Sequence, residues 1–426
     1  MDKGNFFSKS ALPNGIRVLT EALPNSRAVS IGIWVASGSR DEPESHCGIS
    51  HFIEHMIFKG TENRTALDIA KTFDRLGGFS NAFTSKETTC FHAKVLDSHL
   101  DVVLELLSDI FLNSVFDPVE VERERLVILQ EISMVEDSPD ELVHEIFNKN
   151  FWKGNPVERS ILGTVSTVSK ISSQDLKSHM EYFSSGSKVL VSAAGNVEHD
   201  EFCKKIERLF SLPNKRDKLI PERQPPKPNF GCFFKEKDLE QTHVLVGLNG
   251  PSSRDEERFK YLVMNVILGG SMSSRLFQEI REKRGLAYAV YSFVSTLQDA
   301  GTLGIYAGVA PENTIKVVEL IKKELEKLAS KEVLDAELSA AKDNIKGGLL
   351  LSADNTDSRM TRIARNEIDL GKYVSYDQLV KKIDEVTSED VKSVARKCLN
   401  EGLAVTLLGP LKEKDISKCQ MIIGKR

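Results

Sequence analysis

Apolar and polar residues alternate with a period of two over Ser80–Thr84 and Thr88–Val95, which predicts a pair of strands with one face buried. Ser8–Leu12 and Ile16–Glu21 read the same way, and the intervening Asn14-Gly15 predicts a tight hairpin turn. Further strand-like runs lie at Ser30–Ser37, Val189–Gly195, Val244–Asn249 and Gly402–Gly409. A period near 3.6 takes over in Thr65–Leu76 and Leu100–Leu112, and again in Glu312–Lys327 and Val333–Leu350, which predicts helices with one apolar side. The expected fold class is α+β.

The pattern breaks once, at Leu212–Phe230. Lys215-Arg216-Asp217-Lys218 is followed there by Pro221, Pro225, Pro226 and Pro228, a polar, proline-rich stretch without periodicity. It predicts a first domain of residues 1–213, a linker of 214–229 and a second domain of 230–426. The two halves look like copies. Ser30–Ser37 runs into Gly38-Ser39-Arg40-Asp41-Glu42, and Val244–Asn249 runs toward Ser252-Ser253-Arg254-Asp255-Glu256. Arg40 and Arg254 are 214 residues apart, as are Gly195 and Gly409. Ser173-Gln174-Asp175-Leu176-Lys177-Ser178 parallels Ser388-Glu389-Asp390-Val391-Lys392-Ser393 at an offset of 215. Three ordered matches at nearly one offset argue for duplication of an α+β unit.

Residues 51–55 read His51-Phe52-Ile53-Glu54-His55, an H-x-x-E-H string. On a helix, His51 and His55 at i and i+4 share one side, close enough to hold one metal ion. Glu54 falls between them, placed to take a proton from an attacking water rather than to bind the metal. This is the inverzincin order, the reverse of H-E-x-x-H. A hydrolytic zinc site needs a third protein ligand. Val121–Ile132 reads as a long helix, and one side of it carries Glu124, Val127, Ile128, Glu131 and Val135. Carboxylates on an apolar stripe need their charge offset, which a metal does. Glu131 is the expected third ligand, and Glu124 the expected partner of a ligating histidine. Alternatively, both acids pair with Arg123, Arg125 or a distant lysine. Cys47, four residues before His51, could in principle reach the same metal. At the offset of 214, His51 and His55 fall on Asn265 and Gly269, so the second copy lacks the ligands.

These residues resemble the pitrilysin/insulinase family of zinc metallopeptidases, in particular its bacterial processing-peptidase branch and the mitochondrial processing-peptidase β-subunit. The family's H-x-x-E-H, its ligand Glu some 75 residues later and a further Glu seven before that are matched by His51, Glu54, His55, Glu131 and Glu124. Gly48-Ile49-Ser50 and Met56-Ile57-Phe58-Lys59-Gly60-Thr61 extend the match. The similarity runs over nearly the whole chain. It implies two homologous domains, each a mostly antiparallel sheet packed with helices, and one Zn²⁺ per chain. It also implies that Arg281 and Tyr288, in the stretch Gly269–Tyr288, bind the scissile carbonyl oxygen. By spacing alone Arg281 would be an ordinary surface cation. Asn81, Ala82 and Phe83 match the family's edge strand, to which a peptide adds as a further strand. Glu141 and Glu145 stand where the processing peptidases read an arginine near the cleavage site, although a solvated acidic face explains them equally well. Asn155-Pro156-Val157-Glu158-Arg159-Ser160-Ile161-Leu162-Gly163 departs from the family's H-P-L-G-R-P-I-L-G, which touches local loop contacts and not the metal site.

Composition narrows the setting. A net charge of −5 offers no basic footprint, so nucleic acid is not an expected partner. Six scattered cysteines without a C-x-x-C pair suit a reducing compartment. Met1-Asp2-Lys3-Gly4-Asn5 shows no signal or transit character, and no apolar run reaches membrane-spanning length, so a cytoplasmic protein without a membrane partner is expected. The resemblance implies a four-domain substrate chamber, hence a homodimer, or a heterodimer with a homologue that lacks the motif. The expected function is zinc-dependent endoproteolysis of extended, unstructured peptides or presequences, with a preference for nearby basic residues. The alternatives are a non-catalytic core or assembly subunit of the same fold, and a metal-dependent hydrolase of non-peptide substrates.

Overall fold

In the computed structural model the described residues are 6–210 and 222–424, and they form two compact units. Residues 214–221 of the expected linker lie outside the described residues, while 222–229 carry neither helix nor strand. One unit takes the described residues of Met1–Ser133, Arg159–Arg223 and Leu351–Val374. The other takes those of Met134–Glu158, Gln224–Leu350 and Ser375–Arg426.

The first unit is built on six strands: β1 (Phe7–Ala11), β2 (Arg17–Ala22), β3 (Ala28–Val35), β4 (Phe79–Thr84), β5 (Thr89–Leu96) and β6 (Val189–Gly195). Their order across the sheet is β1-β2-β6-β3-β5-β4, with β2–β6 parallel and every other pair antiparallel. The second unit has β7 (Gly231–Glu236), β8 (Thr242–Gly250), β9 (Ala287–Thr296), β10 (Gly301–Val309) and β11 (Ala404–Gly409). Its order is β7-β11-β8-β10-β9, with only β7–β11 parallel. Without the hairpin strand β1, the two orders agree strand for strand: β2 with β7, β6 with β11, β3 with β8, β5 with β10, β4 with β9. The agreement reaches the helix starts. Ser172 and Asp175 form a capping box on the helix Ser173–Phe183, as Thr387 and Asp390 do on Ser388–Glu401. The expected pair of homologous, mostly antiparallel α+β domains is what the chain forms.

Central strands depart from simple alternation because both of their faces are covered. β6 is buried throughout, and so is β11. In the first unit one face of the sheet packs against helices through Ile31, Ile33, Phe91 and Val191 with Phe52, Ile53 and Phe111. The other face is covered by the helix Thr356–Leu370, which sets Met360, Ile363 and Ala364 on Leu19, Trp34 and Leu190. In the second unit the helix Pro139–Phe151 sets Leu142, Val143, Phe147 and Phe151 on Leu245, Ala404 and Leu408. Each covering helix thus comes from the stretch of chain that a division at residues 214–229 assigns to the other half. Sequence periodicity reveals the apolar stripe on such a helix but not which sheet receives it.

A glycine marks the seat of each covering helix. A Cβ on Gly32 would come within 2.6 Å of Met360 Sδ, and one on Gly247 within 2.2 Å of Phe147 Cζ. The Phe147 ring is buried and stacked on Phe151 at 4.8 Å, so it has little room to move. Gly247→Ala is therefore expected to cost about 1–3 kcal/mol through overpacking, read as a lowered urea midpoint at unchanged slope. An unchanged midpoint would show that the helix is free to lift from β8.

Candidate metal centre

The short helix Ile49–Met56 presents two different sides. Ile49, Phe52, Ile53 and Met56 enter the core, which fixes its rotation and turns His51, Glu54 and His55 away from that core. The long helix Pro118–Asp137 is anchored by Val121 and Ile128 and carries Glu124 and Glu131 past the two histidines. His51 Nε2 lies 3.7 Å from Glu131 Oε2, and His55 Nε2 lies 3.5 Å from the same oxygen. One donor atom from each of the three residues falls within 4.8 Å of the others. The imidazole rings are 4.6 Å apart and nearly perpendicular.

Those separations are long for hydrogen bonds. They approach the roughly 3.4 Å between two ligands that each stand about 2.0–2.1 Å from a tetrahedral ion. His55 Nδ1 is 3.2 Å from Glu124 Oε2, so the carboxylate accepts from Nδ1–H, which keeps the proton on that nitrogen and leaves the Nε2 lone pair free. His51 Nδ1 is buried and has no hydrogen-bond partner among the described residues. Burial, and then the charge of His55, pulls His51 down to about 4, which favours the neutral imidazole that a metal binds. The donor set of two imidazoles and one carboxylate fits a zinc ion.

Sequence reasoning placed these residues for partly different reasons. Val127 is exposed, and the Glu131 side chain is 36 % exposed, so the stripe is not buried along its whole length. The cost of burial therefore singles out Glu124 and not Glu131, which is marked instead by its position between the histidines. Glu124 also pairs with Lys59 Nζ at 2.5 Å, so part of the cation-pairing alternative holds for it. Arg123 pairs with Glu120 and Arg125 with Glu122. Among the described residues, Glu131 has no lysine or arginine partner. The Cys47 S–H donates to the Pro43 carbonyl oxygen at 3.9 Å, and Cys47 is not in the donor group.

Glu54 stands between the histidines and the sheet edge. Its Oε2 accepts from the Thr84 hydroxyl at 2.7 Å. Burial pushes its carboxyl up, against the pull of Thr84 and of the His55 charge. Thr84 ends β4, the outermost strand beside β5, and β4 carries Asn81, Ala82 and Phe83. Ala82 points into the core, while Phe83 meets Trp34 edge-on at 5.5 Å. Lys59 and Thr84 are neighbours that sequence reasoning left without a role. Lys59 lies inside a stretch quoted for the family resemblance, and Thr84 directly follows the matched Asn81–Phe83.

Arg281 and Tyr288 are brought together in the second unit. Arg281 sits on the π-helical turn Phe277–Glu282, whose widened Lys283 N–H to Gln278 O bond is 2.9 Å long. Its guanidinium carbon lies 4.7 Å from the Phe277 ring centre and 4.8 Å from that of Tyr288. Nothing in the sequence signals the π turn, a feature that often marks functional sites. Glu141 and Glu145 lie one turn apart on Pro139–Phe151, the first exposed and the second half-buried.

Comparison with known proteins gives one answer along the chain. Residues 17–165 match the family described as insulinase, peptidase family M16, and residues 170–345 match that described as the peptidase M16 inactive domain. A Bacillus subtilis protein named an uncharacterized zinc protease is 39% identical over 399 residues, covering 93% of this chain and 97% of that protein. A Mycobacterium leprae protein of the same description is 39% identical over 415 residues, covering 95% of this chain and 92% of that one. The crystal structure of a protease from Helicobacter pylori superposes with a TM-score of 0.88 at 25% identity, over 95% of this chain and 99% of that one. A structure titled as the peptidase M16 inactive domain from Pseudomonas fluorescens superposes with a TM-score of 0.87 at 20% identity, over 95% and 98%.

Proposed function

This chain belongs to the insulinase family, peptidase family M16, and from that membership we propose that it is a zinc endopeptidase acting on extended, unstructured peptides at the His51–His55–Glu131 cluster. Metallopeptidase chemistry and zinc come with the family, whose curated relatives are named zinc proteases. The observation that carries the assignment to these residues is the convergence of three donor atoms within 4.8 Å, beside a carboxylate that is bonded to the edge strand.

His51, His55 and Glu131 would hold one zinc ion per chain, in the inverzincin manner. When bound there, zinc supplies a Lewis acid that polarises a peptide carbonyl and makes water more acidic. Glu124 keeps His55 in the tautomer with a free Nε2. Glu54 takes the proton of the attacking water onto a carboxylate oxygen and hands it to the departing amine. Thr84 holds that carboxylate by one oxygen, leaving the other for the proton. A peptide laid along β4 would bond main chain to main chain beside Asn81, Ala82 and Phe83, a mode that accepts many sequences. Arg281 and Tyr288 are proposed as oxyanion donors. The resemblance supports this, and so does the stack that holds their side chains together. Glu141 and Glu145 are proposed to favour a basic side chain near the cleaved bond.

No helix among the described residues is long and apolar enough to cross a membrane. All six cysteines are free thiols, which supports a reducing, cytoplasmic setting. A processing-peptidase-like homodimer, or a heterodimer with a motif-less homologue, follows from the resemblance. The assembly-subunit alternative is disfavoured by the complete set of ligands and base in the first unit.

The test is digestion of an unstructured peptide library with and without a zinc chelator. Cleavage is expected to stop with the chelator and return with added zinc, and cut sites are expected near arginine or lysine. Chelator-resistant cleavage would contradict the metal assignment. In the Glu141→Lys variant the basic preference should weaken, and an unchanged cut-site profile would remove Glu141 from substrate recognition.

A further inference from the structure

We propose that Glu42 is a positioning residue of the metal centre: from the loop ahead of the Ile49–Met56 helix it fixes the first helical turn, and with it His51. This goes one step beyond the assignment of His51 as a zinc ligand and rests on that reading.

A helix starts with backbone N–H groups that have no partner inside it, and a side chain at the N-cap usually takes one of them. Here the N-cap is Gly48, with φ of +95°, and a Cβ there would fall 2.7 Å from the Leu162 carbonyl oxygen. No serine, threonine or aspartate can stand at that position. The cap comes instead from Glu42. Its Oε2 accepts the Gly48 N–H at 2.7 Å, and its Oε1 accepts the Ser50 N–H at 2.8 Å. Glu42 is itself held, because its carbonyl oxygen accepts from Arg159 Nη1 at 2.9 Å.

The two histidines are anchored differently. The His55 ring is gripped by Glu124. Among the described residues the His51 ring has no hydrogen-bond partner at Nδ1, so its place depends on the backbone that carries it. Ser50, bonded to Glu42, immediately precedes His51 in the first turn of the Ile49–Met56 helix. The position is a costly one for an acid: Glu42 is 4 % exposed, and burial pushes its carboxyl up to about 7. Burying a carboxylate there adds little to stability, and its two hydrogen bonds go to the backbone at the start of the His51 helix.

The test compares the full-length protein with Glu42→Gln, which keeps the size but offers only one acceptor oxygen to two N–H donors. Three quantities are read: the zinc Kd by competition with a chelator, amide exchange over Gly48–Phe52 in the metal-free protein, and the urea midpoint. The expected result is a zinc Kd weakened about 10-fold, the low end of the range for direct partners of a ligand because Glu42 acts through the backbone, with faster exchange at Ser50. A zinc Kd within twofold of wild type overturns the proposal, and so does a lowered urea midpoint with zinc Kd and exchange unchanged. If Glu42→Gln does not fold, Glu42→Asp carries the test: its shorter side chain should weaken zinc, and equality with wild type overturns the idea. If the wild-type protein binds no zinc, the ligand assignment fails, and exchange at Ser50 still decides whether Glu42 anchors the turn.

Discussion

Glu54→Gln should lower kcat about 10³-fold, within the 10²–10⁴ range that positioned acid–base groups contribute, while zinc content and KM stay close to wild type. The substitution is nearly isosteric. Glutamine can still accept from the Thr84 hydroxyl that holds Glu54 at 2.7 Å, so the local structure has no reason to change. What is lost is the ability to take a proton. Glu54 is outside the donor group formed by His51, His55 and Glu131, so the metal should remain. The measurement is steady-state cleavage of a peptide from the library, paired with metal analysis of the same sample. A variant that keeps zinc and full activity would remove Glu54 from the chemistry. Loss of zinc together with activity would instead make Glu54 a ligand.

The second large effect separates the two acids of the long helix. Glu131→Gln removes the charge of the proposed third ligand and should weaken zinc binding by more than about 100-fold. Glu124→Gln removes only the grip on His55 Nδ1 and should weaken it about 10–100-fold. Glu124 also faces Lys59, whose side chain is 33 % exposed and can turn to water when its partner is lost. The fold should therefore survive either change, and chelator competition on the folded variants gives the order. Equal losses for the two variants, or a larger loss for Glu124→Gln, would contradict the division between ligand and supporting residue.

Much of this architecture was legible in the chain because its signals are local. The alternation at Ser80–Thr84 and Thr88–Val95 became β4 and β5, and Asn14-Gly15 made its hairpin turn between β1 and β2, with Gly15 at φ +89°. The repeat at an offset near 214 became two sheets with the same strand order. The H-x-x-E-H spacing put both imidazoles beside Glu131 because one helical turn separates them and the apolar residues around them bind the core. What stayed hidden depends on long-range choice. Leu142, Val143, Phe147 and Phe151 announce an apolar stripe, yet a stripe fits any apolar sheet face, so the covering of the second sheet by Pro139–Phe151 could not be read from it. Glu42 enters the sequence reading only as part of the repeated Gly38–Glu42 turn, and nothing local marks it for burial. Only the close approach of Leu162 to Gly48 shows why Glu42 is drawn inward. The π turn under Arg281 has no sequence signal, because one extra residue per turn leaves composition unchanged.

The most direct test of the central claim is a crystal of the wild-type protein grown with Zn²⁺ and measured on both sides of the zinc absorption edge. A single strong anomalous peak per chain is expected, about 2.0–2.2 Å from His51 Nε2, His55 Nε2 and a Glu131 carboxylate oxygen. A map without a peak at that point, or with zinc bound only elsewhere on the chain, would contradict the account.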